Sequence, residues 1–254
     1  MFIERTNSTN TLLKELLACG EWPENERFLR ASYQTAGRGQ TGNGWESEEG
    51  KNLLCSVLIS RQPSAFSIQP FYLNVLVSVA AHRAISALGI SELAIKWPND
   101  IYWQDKKVAG ILIENAIVGS EVKYSIAGIG LNVNQTEWRS NAPNPVSLKQ
   151  ITGKDYDLDQ LMQRLLEAID KAQKEDVWDY YKTHLYRREG FWPFVEREVS
   201  VEPTMNASIA FSHQPSAFSF WARIKDVLPT GEILLEDQEG QERNYHFKQI
   251  RYIV

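Results

Sequence analysis

Cysteine is almost missing from these 254 residues, and its two copies, Cys19 and Cys55, have neither a Cys-x-x-Cys spacing nor a neighbouring histidine. That scarcity argues against a disulfide framework, a thiolate metal site or a cysteine nucleophile, and reads both thiols as reduced core residues. Long apolar runs are lacking too: no stretch approaches the ~18 residues of a membrane helix. Met1 to Gly20 has no basic start, apolar middle or small-residue cleavage site, so nothing marks a signal peptide and the cytoplasm is the expected location. Positive charge is not in excess. A net charge of −5 argues against nonspecific nucleic-acid binding as the main task, although a local basic patch stays compatible with it. What is present, 43% hydrophobic and 23% charged residues, describes a globular chain long enough for one large domain or one large and one small.

From the N-terminus, Phe2 and Ile3 read as a short strand. Asn7 or Ser8 then caps a helix whose apolar face is Leu12, Leu13, Leu16 and Leu17 and whose stop is Gly20. Ser8-Thr9-Asn10 therefore sits at a helix N-terminus, where free amide hydrogens and the dipole favour polar or anionic ligand atoms; the same residues are ordinary caps. Phe28 to Gln34 alternates like a strand and feeds an eleven-residue loop, Thr35 to Trp45, that holds four glycines. Such a loop can wrap a phosphate with its amides while Arg38 supplies a fixed positive charge. Trp45 at its edge suits stacking on a flat base and packing the loop down equally well. No Gly-Lys-Ser/Thr follows, so this is not a P-loop.

Lys51 to Ser60 is a second apolar strand, and Phe71 to Leu88 is apolar almost all round, as a helix buried against a sheet and ended by Gly89 would be. The stretch KWPNDIYWQDKKVAGILIE, Lys96 to Glu114, organises the rest. Ala94, Ile95 and Trp97 end a buried strand at Pro98, which leaves Asn99 and Asp100 at the strand end. Ile101 to Trp103 runs into a Gln104 to Lys107 turn, and Val108 to Ile113 returns as an apolar strand with Gly110 inside it. On alternation alone this is a plain hairpin with a charged tip, because Lys, Asp and Asn are common turn residues. Val122 to Ile129 pairs back on Ile111 to Val118 through Gly119-Ser120. Gly128 and Gly130 then leave one sheet face bare for a ligand, or mark a bulge.

Asp157 opens a structural helix with Leu158, Leu161, Met162, Leu165, Leu166 and Ile169 at helical spacing and a glutamine three places after the cap. Trp178, Tyr180, Tyr181, Phe191 and Trp192 form an aromatic cluster near a domain boundary, suited to packing between domains. Beyond Glu196 come five short strands, Val199 to Val201, Ala207 to Phe211, Phe220 to Val227, Ile233 to Leu235 and Tyr245 to Val254, which suggest a small barrel. The hexapeptide Gln-Pro-Ser-Ala-Phe-Ser occurs at Gln62 and again at Gln214, with no physical account.

Four of these pieces, in order, resemble the motifs of biotin protein ligases: Ser8-Thr9-Asn10, the Gly37 to Trp45 loop, KWPND followed by KVAGIL, and GIGLNVN from Gly128. The resemblance spans the chain and departs at Gln40, where the family usually carries arginine. It implies an α+β fold: a catalytic domain with a mixed sheet similar to class II aminoacyl-tRNA synthetases over 1–193, and an SH3-like barrel over 194–254. It implies ATP-dependent activation of biotin to biotinyl-5'-AMP and transfer to a lysine of a biotin carboxyl carrier protein. Biotin would be held by Ser8, Thr9, Asn10, Gln34, Gly37, Arg38, Gly39, Gln40, Lys107, Gly110, Gly128 and Gly130. ATP would be held by Arg38, Gln40, Trp45, Asn99, Lys107 and Asn132. Lys107 and Arg38, with Mg²⁺, would neutralise the charge of an anion attacking an anion, and Asp100 would steer or deprotonate the incoming lysine. No metal ligand is singled out. A lipoate ligase of the same superfamily should carry other signatures in place of KWPND and the Gly37 loop. A biotin-responsive repressor should carry a helix-turn-helix ahead of Ser8, where only seven residues stand, so no specific nucleic acid and no membrane is expected; a homodimer is left open.

Overall fold

Where apolar residues alternate the chain makes strands, and where they recur every third or fourth residue it makes helices; the computed structural model describes residues 1–40, 43–60, 70–118, 121–140, 142–197 and 219–253. It divides into two compact units, Met1–Tyr186 and Arg187–Val254. The expected boundary at 193/194 would cut a strand that begins at Trp192.

The first unit is built on a seven-stranded sheet. Its strands are β1 (Phe2–Thr6), β2 (Phe28–Gln34), β3 (Leu53–Ser60), β4 (Leu93–Lys96), β5 (Asp100–Trp103), β6 (Lys106–Val118) and β7 (Glu121–Leu131), in the spatial order β1-β2-β3-β7-β6-β5-β4. The β1 and β2 pair is parallel and the remaining neighbours are antiparallel, so the sheet is mixed as expected. Helix α1 (Thr9–Cys19) ends at Gly20, whose φ of 75° is left-handed. Helix α2 (Pro70–Ser86) buries Val75, Leu76, Val77, Val79, Ala80 and Ala81 in near succession, so it is covered on several sides. Helix α4 (Leu158–Ala172) buries Leu161, Met162, Leu165, Leu166, Ile169 and Ala172, one stripe, against α2. Its Asp157 cap accepts from the Gln160 amide at 2.9 Å. Two short helices complete the unit: α3 (Leu148–Thr152), which sequence reading did not anticipate, and α5 (Trp178–Thr183).

The central hairpin differs from expectation in one respect that matters for the site. Its turn is only Gln104-Asp105, with Gln104 left-handed at φ 51°, and Lys106 and Lys107 already belong to β6. A two-residue loop matches the twist of the strands it joins, whereas a four-residue tip would have left Lys107 in solvent. Lys107 instead pairs with Tyr102 across the strands and lies on the sheet.

In the second unit β8 (Trp192–Glu196), β9 (Ser219–Val227), β10 (Ile233–Asp237), β11 (Glu242–Tyr245) and β12 (Ile250–Tyr252) form an antiparallel sheet in the order β11-β10-β9-β8-β12. Phe194, Ala222, Ile224, Val227, Ile233, Leu235 and Tyr245 fill its core. The strand expected from Tyr245 onward is two strands, β11 and β12, separated by a turn in which Lys248 has φ 81°. The expected strands at 199–201 and 207–211, the Gly119-Ser120 turn, Gly42, and both hexapeptide copies save Ser219 lie outside the described residues. Trp178 and Tyr181 meet Phe71, and Tyr180 meets His82, all inside the first unit, while Phe191 and Trp192 stand in the second beside Arg223 and Arg187.

Candidate active site

Three glycines sit together in the middle of the sheet. Gly110 on β6 is directly opposite Gly130 on β7, and Gly128 lies two residues along the same face, opposite Leu112 and Ser56. Period-two alternation turns Ile111, Ile129 and Cys55 to the other face, where they are buried. Burial there pushes the Cys55 thiol up to about 12, in keeping with an inert core residue, whereas Cys19, expected in the core too, is exposed at the end of α1. The glycine face was expected to be bare. It is covered. A Cβ on Gly128 would stand 2.5 Å from the Asn10 side-chain oxygen, one on Gly130 would stand 2.4 Å from Trp45 Cε2, and one on Gly110 would stand 2.9 Å from Trp45 Cζ3. The glycines therefore admit the asparagine of one motif and the tryptophan of another, and a ligand would lie against those side chains.

The two described flanks of the glycine-rich loop, 37–39 and 43–45, pair antiparallel. Arg38 bridges Gly44, Gly39 donates to the Asn43 carbonyl at 2.8 Å, and Trp45 donates to the Gly37 carbonyl at 2.9 Å. Just past it, Glu46 accepts from the Arg139 and Ser140 amides, both at 2.7 Å. Burial opposes its charge, but the hydrogen bonds from Ser140 and these two amides win and hold the carboxyl below its ordinary range. The backbone on either side of the Trp45 side chain is thus held, and the indole Nε1 is buried without a hydrogen-bond partner.

At the α1 end the Ser-Thr-Asn motif is buried and interlocked. Ser8, one of the two expected positions, is the N-cap residue, and its side chain makes no cap hydrogen bond. Asn7 accepts from the Ser8 amide instead. Gln34 at the end of β2 accepts from the Thr9 amide at 2.7 Å and its hydroxyl at 3.1 Å. Ser56 donates toward Thr9 and Asn10, at 2.8 and 2.6 Å. Both Asn10 amide hydrogens are committed, to the Leu112 carbonyl at 3.3 Å and Glu114 at 2.7 Å. Glu114 also takes Arg38 at 2.9 Å. Sequence reading missed Glu114 and Ser56.

The cationic end is formed by Lys107, whose Nζ lies 2.8 Å from Asp100 and 5.6 Å from the Trp45 ring centre. Its backbone is gripped on the outer side: it donates to the Asn144 carbonyl at 2.8 Å and accepts from Val146 at 3.0 Å. Asn132 donates to the Lys107 and Val146 carbonyls, which leaves its own buried Oδ1 without a partner. Asn99 donates to Asn74 and to the Ile111 carbonyl, and accepts from Gln40 Nε2 at 3.1 Å. Tyr181, fully buried, donates to the Pro98 carbonyl at 2.7 Å, which supports this strand end from behind. Each of the four motifs therefore contributes side chains or glycines to one face. A cation, a carboxylate, orphaned polar atoms and an aromatic plane adjoin a hydrogen-bonding corner, an arrangement suited to a small polar ring at one end and a phosphate at the other.

Comparison with known proteins agrees. Residues 2–132 match the model of the biotin/lipoate A/B protein ligase family. Over 182 residues the chain is 31% identical to a biotin–[acetyl-CoA-carboxylase] ligase of Paracoccus denitrificans, covering 68% of this chain and 72% of that one. It is 30% identical over 238 residues to the bifunctional ligase/repressor BirA of Bacillus spizizenii, covering 90% of this chain and 67% of that one. Among solved structures, biotin protein ligase from Aquifex aeolicus in complex with biotin and ATP superimposes with a TM-score of 0.74 at 23% identity, covering 100% of this chain and 98% of that one. The likeness shows the fold, α+β with a class II aminoacyl-tRNA synthetase-like catalytic domain and an SH3-like C-terminal domain. On sequence and architecture together, the chain belongs to the biotin/lipoate A/B protein ligase family.

Proposed function

We propose that this enzyme is a biotin protein ligase, which activates biotin with ATP and passes it to a lysine of a biotin carboxyl carrier protein in the cytoplasm. The observation that carries the reading is the convergence of all four sequence motifs on one sheet face, with Trp45 seated on Gly110 and Gly130 between the Asn10 corner and the Lys107–Asp100 pair. In the first step a carboxylate oxygen of biotin attacks the α-phosphorus, the bond to the β-phosphate oxygen breaks, and pyrophosphate leaves. Lys107 and Arg38 lower the cost of bringing two anions together. In the second step the carrier amine, once it has lost a proton, attacks the acyl carbon and AMP leaves. Asp100 is the carboxylate beside Lys107 that would receive or steer that amine. Ser8, Thr9 and Gln34 suit the ring end, and Asn99 and Asn132 the nucleotide.

Mg²⁺ fits this face as a companion of the nucleotide. Magnesium needs only one or two protein oxygens when phosphates and waters supply the rest, and Asp100 and the unpartnered Asn132 Oδ1 are of that kind. When bound it would neutralise phosphate charge. Incubation with ATP, Mg²⁺, a carrier domain and either biotin or lipoate, followed by intact-mass measurement, tests the reading. A carrier mass raised by biotin less water is expected; lipoyl transfer alone, or no transfer, would overturn it.

A further inference from the structure

Glu114 carries no motif, yet it joins two of the motifs, the Asn10 corner and the Arg38 loop. It lies four residues beyond Gly110 on β6, hence on the glycine face, and a single oxygen, Oε2, receives the Asn10 amide at 2.7 Å and an Arg38 guanidinium nitrogen at 2.9 Å. Those donors come from separate pieces of chain: Asn10 opens α1, and Arg38 belongs to the glycine-rich loop. The Glu114 side chain is 26% exposed and Arg38 44% exposed, so the carboxylate sits at the floor of the face and the guanidinium rises from it. A guanidinium presents five N–H donors in a rigid fork, and anchoring one nitrogen fixes where the others point. The Asn10 amide has no second option, because its other hydrogen goes to the Leu112 carbonyl and its oxygen to Ser56.

We propose that Glu114 is a positioning residue that couples the ring-binding corner to the adenylate-binding cation, holding the Arg38 fork toward the phosphate while fixing Asn10 in the same contact. This rests on the ligase reading above and extends it to a residue outside the motifs. The carboxylate acts through Arg38 on the phosphate and through Asn10 on the ring corner, so the two functions should separate in different variants. Glu114→Gln keeps an oxygen for Asn10 and removes the charge that orients Arg38. Its KM for biotin should stay within about threefold of wild type, while the rate of biotin-dependent pyrophosphate release falls by about tenfold, the scale of a lost charge-assisted contact. Glu114→Ala also strips the acceptor from Asn10, so KM for biotin should rise as well.

The deciding experiment is a double-mutant cycle with Arg38→Ala, measured as biotin-dependent pyrophosphate release and, in parallel, as AMP binding by calorimetry. In the Arg38→Ala background Glu114→Gln should cost nothing further in either measurement. Losses that simply multiply, or a raised KM with an unchanged rate in Glu114→Gln, would overturn the proposal and leave Glu114 a structural residue. Should wild-type protein release no pyrophosphate with biotin, the ligase reading fails by itself. The AMP cycle then decides the coupling alone: weakening by Glu114→Gln only when Arg38 is present supports it, and equal weakening in both backgrounds refutes it.

Discussion

At the scale of single residues, charge is kept ready by pairing it with a group that can let go. Lys107 and Asp100 have side chains 29% and 28% exposed, so their ion pair is partly solvated and contributes about 0 to 1 kcal/mol to stability. Lys107→Ala should therefore melt close to wild type while adenylate formation drops at least ~10²-fold, the usual scale for one preorganised charge contact. Near-normal pyrophosphate release in that variant would refute the role. Gln40, in place of the usual arginine, turns its amide to Asn99 and buries its Oε1 without a partner, so it offers no charge to a phosphate. A charged contact is stronger than a neutral one by roughly 1 kcal/mol. Gln40→Arg should slow biotinyl-adenylate dissociation severalfold in stopped-flow Trp45 fluorescence without speeding lysine transfer; an unchanged or faster off-rate would mean that position 40 does not face the phosphate. Residues within contiguous motifs were legible in the sequence because their spacing is local. Glu114 and Ser56 were not, because each acts through a partner more than forty residues away; the only hint for Glu114 was its even spacing from Gly110.

At the scale of elements, α2 and α5 support the KWPND strand from behind and carry a histidine that makes this support sensitive to acid. His82 is 3% exposed, with Nδ1 3.0 Å from the Tyr180 hydroxyl and Nε2 3.2 Å from the Leu93 carbonyl. A carbonyl can only accept, so Nε2 carries a proton, and in the neutral ring Nδ1 is left to accept from the Tyr180 hydroxyl. Burial, with His184 and Arg83 nearby, lowers its pKa from 6.5 to about 4. The sign follows: below about pH 6.5 the unfolded chain takes a proton that the folded ring refuses. Stability is therefore full above that value and declines as pH falls toward about 4, by up to about 1.4 kcal/mol for each pH unit. Denaturant unfolding at pH 7 and pH 5 should show this decline in wild type and a smaller one in His82→Gln; equal declines would assign the effect elsewhere. Elements with their own punctuation, such as α1 ending at Gly20 and β2 running to Gln34, were readable locally. By contrast β8 holds a proline in five residues and takes its partners from β9 and β12, so no local signal marks it as a strand.

At the scale of the whole molecule, the seven-stranded sheet brings together motifs spread from Ser8 to Asn132, and the long apolar strands flanking each motif made that assembly foreseeable. The domain boundary was harder to read. The chain between Tyr186 and Trp192 carries no linker-like run of glycine, proline and serine, and the aromatic residues on either side looked like one cluster. Charge is the other property that belongs to the molecule as a whole. With 27 basic and 32 acidic side chains, the protein carries a net −5 that opposes approach to a phosphate backbone, whose attraction for cations supplies most nonspecific DNA affinity. Several of its cations are also paired locally, as Lys225 and Arg223 are with Glu236, and Arg27 is with Asp170. In a gel-shift assay at physiological salt, with biotin and ATP present, duplex DNA should migrate unretarded at nanomolar protein. Sequence-specific retardation there would show that a DNA-reading surface exists despite the charge balance, and that regulation accompanies catalysis in this chain.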